Sequence, residues 1–90
     1  MSERPEIPAC AAIRYGDVIL ADRRHHDCIA MASALGFPRN AVNAENHGFM
    51  TTRGRFVNRC EALKLMLAAG LPSADEGGYR GDELYSEDLY

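Results

Sequence analysis

The chain has no tryptophan, and lysine is almost absent: Lys64 stands alone among ten basic residues, the other nine being arginine. No apolar run approaches the roughly 18 residues of a membrane-spanning helix. The N-terminal stretch MSERPEIPAC has no apolar segment behind a basic start, so no secretory leader is expected. Cysteine is sparse. Cys10, Cys28 and Cys60 form an odd, widely spaced set with no C-x-x-C pair, which argues against a zinc knuckle or a redox dithiol. Reduced, mostly buried thiols are expected. The sequence also lacks a Gly-x-Ser-x-Gly elbow and a Walker loop, and Ser33, Ser73 and Ser86 have no recognisable base partner. Nucleophilic catalysis and a metal or other cofactor are therefore not expected.

What remains is enough for one domain over residues 1–90. The apolar share is 47%, well above that of a disordered chain. By area scaling, a chain of 9.9 kDa folds to a surface of roughly 5,000 Å². Its core is small, and an oligomer interface commonly completes such cores. The net charge of −3 divides unevenly. Residues 1–64 carry a net +2, whereas residues 65–90 set Arg80 against six carboxylates. Arginine offers a planar fork suited to phosphate oxygens, although genome composition also produces such a bias. The overall acidic balance argues against binding DNA or RNA polymers.

The pattern predicts a small α+β fold. Residues 1–8, with Pro5 and Pro8, read as a flexible lead-in. Two apolar runs, 10–15 and 18–21, flank Gly16-Asp17 and predict a hairpin. A helix is expected from about His25 to Leu35, stopped by Gly36 and Pro38. A polar connector covers 39–47. The block GFMTTRGRFV predicts a second hairpin turning at Arg53-Gly54. Asn58, with Glu61 three residues on, reads as the N-cap of a second helix ending at Gly70. Leu63, Met66 and Leu67 would form its apolar stripe. Residues 73–83 read as a loop, and 84–90 as a tail packing on the body or at a subunit interface.

Two clusters carry candidate chemistry. Arg23-Arg24-His25-His26-Asp27 falls at a helix start, where backbone amides favour anions. It reads either as a phosphate site or as a solvated corner. A His-His-Asp metal site is a weaker third reading, because adjacent residues diverge around a helix. In the second cluster, Arg53, Arg55 and Arg59 interleave with Phe49 and Phe56, a pattern suited to a nucleobase bearing phosphates. The alternative puts Phe56 and Val57 in the core with exposed arginines.

The blocks GDVILADRRHHDCI and GFMTTRGRFVNRCEALKLMLAAG, followed by LYSEDLY, resemble the first Thoeris anti-defence family of phage nucleotide-signal sponges. The resemblance covers most of residues 11–90. It implies an antiparallel sheet with two helices packed on it, in an interlocked homodimer that can grow to a hexamer. It further implies sequestration, without cleavage, of glycocyclic ADP-ribose made by TIR enzymes in the bacterial host cytoplasm. Some members also bind the cyclic oligonucleotides of CBASS. Residue by residue, the resemblance makes Phe49 a stacking platform for adenine. It gives Asn58 and Arg59 contacts to ribose or pyrophosphate, and Arg55 the same anion. Arg24 and His25 become phosphate contacts, while Tyr85 and Ser86 close the pocket. Two other classes remain open. One is a small phosphodiesterase using His25, His26 or His47. The other is a protein-interaction module working through the acidic tail.

Overall fold

The computed structural model describes residues 4–89. Alternating small and apolar residues form β1 (Pro8–Tyr15), which turns through Gly16, at φ +61°, into β2 (Val18–Asp22). Helix α1 (His25–Ala34) follows, then two short 3₁₀ turns over Arg39–Val42 and Ala44–Asn46. Next come β3 (His47–Thr51), β4 (Phe56–Asn58) and helix α2 (Arg59–Ala68). The four strands make one antiparallel sheet in the order β2-β1-β3-β4.

Register sets the core. Ala11, Phe49 and Val57 lie side by side across β1, β3 and β4, and all three are buried. Cys28 of α1 and Ala62, Leu63 and Met66 of α2 pack on this face. Burial pushes the Cys28 thiol up to about 11, so it is an inert core group. On the other face Ala12 pairs with Gly48. A Cβ on Gly48 would lie 2.3 Å from the Val57 carbonyl and 2.4 Å from the Phe56 ring, so only glycine fits there.

The predicted boundaries hold closely for both hairpins and both helices. The Asn58 side chain accepts from the Glu61 amide at 2.8 Å, which makes it the expected cap. Both helices stop on a left-handed glycine, Gly36 and Gly70, with paired amides closing the last turn. Leu84 of the tail is buried in the core of its own chain, and its amide donates to the Arg59 carbonyl.

Several expectations need correction. From residue 4 onward the lead-in is tied down: Ile7 exchanges hydrogen bonds with Thr52, Glu6 is buried, and Pro8 already belongs to β1. Proline is tolerated there because it opens the strand beside a bulge. Residues 1–3 and Tyr90 of the tail lie outside the described residues. Leu67 is 58% exposed, and the stripe of α2 runs through Ala62, Leu63 and Met66 instead. Cys60 is exposed and Cys10 half-buried, so only Cys28 is a buried thiol. The surface of 5707 Å² exceeds the scaling figure because two layers make a slab 18 Å thick. Among the described residues, no helix is long and apolar enough to cross a membrane.

Candidate anion-binding site

Helices α1 and α2 begin beside each other at the His47 end of β3. Arg24 is the extended residue before α1, and His25 opens it. Arg59 opens α2 directly behind Asn58. The tail crosses the same end, because Leu84 is anchored to the core and hydrogen-bonded to Arg59. Together they enclose a cavity of about 330 Å³ lined by Arg24, His25, His26, Arg59, Tyr85, Ser86 and Glu87. Five of the eight residues expected at the site therefore meet in one place.

A column of rings supports the floor. His25 stacks on His47, centroids 4.8 Å apart and 5° from parallel. Phe49 meets His25 edge-on at 5.0 Å. The His25 Nε2–H donates to the Gly48 carbonyl at 2.8 Å. An Arg59 Nη donates to His47 Nδ1 at 2.9 Å, which leaves the His47 proton on Nε2 to donate to the Val42 carbonyl at 3.0 Å. Both rings are thus neutral. Burial lowers the His25 pKa to about 4 and lowers that of His47 as well; the Arg59 charge adds to both, and His47 adds to the effect on His25.

Arg59 is the central group. Its guanidinium lies over the Tyr85 ring, 5.1 Å from the centroid. Among the described residues, its Nε is the one buried side-chain nitrogen or oxygen with no hydrogen-bond partner. A buried N–H left unpaired costs free energy, so a water or a ligand oxygen that reached it would stabilise the site. Arg24 donates to the Ser86 carbonyl at 2.6 Å, pinning the tail at the rim. Two helix N-termini and two guanidiniums therefore converge on one cavity, with Glu87 as its lone carboxylate.

Three expected residues lie elsewhere. Phe49 offers no face for stacking: it is 0% exposed and fills the core beneath His25, because its position in β3 points it at the helices. Asn58 spends its side chain on the α2 cap. Arg55 is held at the far end of β3 by Glu6 and Glu61. Sequence reasoning missed His47 as the strut for Arg59; its only signal was a histidine immediately before Gly48-Phe49. Among the described residues, no group of three or more His, Cys, Asp or Glu could hold a metal ion.

No curated protein and no solved structure matches the chain. The model of the phage T4 y16D protein family matches residues 8–90, which spans every element above. The chain belongs to the phage T4 y16D protein family.

Proposed function

We propose that the chain is a phage anti-defence sponge that binds the phosphates of a cyclic nucleotide immune signal and holds it uncleaved. The observation that carries this reading is the Arg59 side chain, whose buried Nε has no partner, lining a cavity where both helices begin. A phosphate oxygen satisfies such an N–H, and the positive ends of the two helix dipoles favour the same charge. Tyr85 holds the guanidinium plane, and Arg24 adds a second cation.

Sequestration is favoured over hydrolysis by the state of the histidines. His25 and His47 are neutral and each is bound to a backbone carbonyl, so neither ring is poised to shuttle a proton. The exposed His26, 3.2 Å from Asp27, favours the phosphodiesterase alternative. At 330 Å³ the cavity is at the small end of ligand sites, and a cyclic dinucleotide-sized signal would extend beyond it. A second copy of the chain closing over the tail would supply the missing surface.

A thermal-shift panel of glycocyclic ADP-ribose isomers and cyclic oligonucleotides tests the proposal, followed by heat release and mass analysis. The sponge reading expects one signal to raise Tm and to be recovered intact. Turnover at sub-stoichiometric protein would establish the hydrolase instead. No shift with any signal would move the function to a protein partner of the acidic tail.

A further inference from the structure

The other end of β3 carries a larger cavity. Its volume is about 570 Å³, and its lining includes Arg4, Ile7, Arg53 and Leu71. Four residue steps of β3, about 14 Å, separate it from the His47 end. The β3–β4 turn places Arg53, and the arm before β1 places Arg4. The two parts are joined because the Thr52 hydroxyl accepts from the Ile7 amide and the Thr52 amide donates to the Ile7 carbonyl. The Arg53 guanidinium donates to the Arg4 carbonyl at 3.1 Å, which fixes its position. Leu71 enters from the opposite side, held by the closing turn of α2, where its amide donates to the Met66 carbonyl.

Among the described residues there, Arg4, Arg53 and Arg55 face two carboxylates, Glu6 and Glu61, and Glu6 also feels the Arg53 charge. Glu6 and Glu61 are both engaged by Arg55. Among the described residues, neither Arg4 nor Arg53 has a carboxylate within ion-pair distance. In the last turn of α2 the Leu65, Met66 and Leu67 carbonyls accept from the amides of Ala69, Leu71 and Gly70. Two guanidiniums therefore border an apolar floor of Ile7, Ala69 and Leu71.

We propose that this cavity is a second ligand site, for a phosphate or similar anion carried on a flat apolar body. The guanidinium forks take the anion and the apolar floor takes the ring. The lining described comes from one chain, and the proposal does not depend on the function assigned to the His47 end.

The test is a titration of the ¹⁵N-labelled full chain with phenyl phosphate, with AMP and with inorganic phosphate, followed by amide shifts. Phenyl phosphate is expected to shift the amides of Thr52, Arg53 and Leu71 saturably. Inorganic phosphate should bind at least tenfold more weakly, because it leaves the floor unused. Arg53→Met and Arg4→Met, each with a dispersed native spectrum, should each weaken phenyl phosphate binding about tenfold. AMP binding here as tightly as phenyl phosphate would make a nucleotide the source of the anion. Shifts confined to His25, Arg59 and Tyr85 would overturn the proposal. So would no saturation by about 10 mM phenyl phosphate and AMP, or wild-type affinity in both arginine variants.

Discussion

The two ends of β3 hold arginines in opposite states. At the Thr51 end Arg55 meets Glu6 at 2.7 Å and Glu61 at 3.2 Å. Thr51 also donates to Glu6 at 2.6 Å, so that cluster is internally satisfied. At the His47 end Arg59 has a neutral histidine as hydrogen-bond partner, a tyrosine face beneath it and a buried N–H unpaired. One arginine closes the fold, and the other lines a cavity with no carboxylate among the described residues paired to it. Arginine in a sequence is therefore not a binding signal; the carboxylates around it decide.

The largest expected effect separates packing from binding. Phe49→Ala empties the centre of the core and should cost about 3–5 kcal/mol of stability, read by urea denaturation. If Phe49 instead stacked on a ligand, the variant would keep its stability and lose only affinity.

Acid should break the two ends in sequence. His25 is neutral in the fold, with its pKa lowered to about 4 from an ordinary 6.5. The unfolded chain therefore binds the extra proton first, and stability present above pH 6.5 falls as pH drops toward 4, by about 3 kcal/mol in all. Glu6 behaves differently. Hydrogen bonds from Arg55 and Thr51 hold its carboxyl down to about 2, so its contribution persists above about pH 4.5 and is lost only as pH falls toward 2. Melting temperatures across pH 2–8 should show both windows for the wild type. Glu6→Gln should shrink the lower window, where Asp75 still contributes, and His25→Phe the upper one, where His47 still contributes.

A smaller effect marks the residue between the two states. Asn58→Ala removes the α2 cap and should cost about 1 kcal/mol by denaturation, with nucleotide affinity changed less than about threefold. A large loss of affinity at unchanged stability would return Asn58 to the site.

The secondary structure was legible because its local chemistry is strong. Gly16, Gly36, Gly54 and Gly70 all adopt positive φ where turns or stops were expected, and Asn58 caps as its spacing to Glu61 suggested. Arg24, His25, Arg59, Tyr85 and Ser86, singled out through helix starts and family resemblance, line one cavity. What could not be read was pairing across the chain. Nothing local shows that Glu6, 49 residues before Arg55, neutralises it, or that His47 braces Arg59. Phe49 and Phe56 differ by which face of the sheet each occupies, and that depends on the register of β3 with β1.

The most direct test of the account compares the two arginines in one experiment. Calorimetric titration with the nucleotide signal that most raises Tm would be run on Arg59→Met and Arg55→Met, each verified as folded. At least about a 30-fold loss is expected for Arg59→Met, the size of one or two charge-assisted hydrogen bonds, and less than about a threefold change for Arg55→Met. Equal losses, or a larger loss at Arg55, would contradict the assignment of the site to the His47 end.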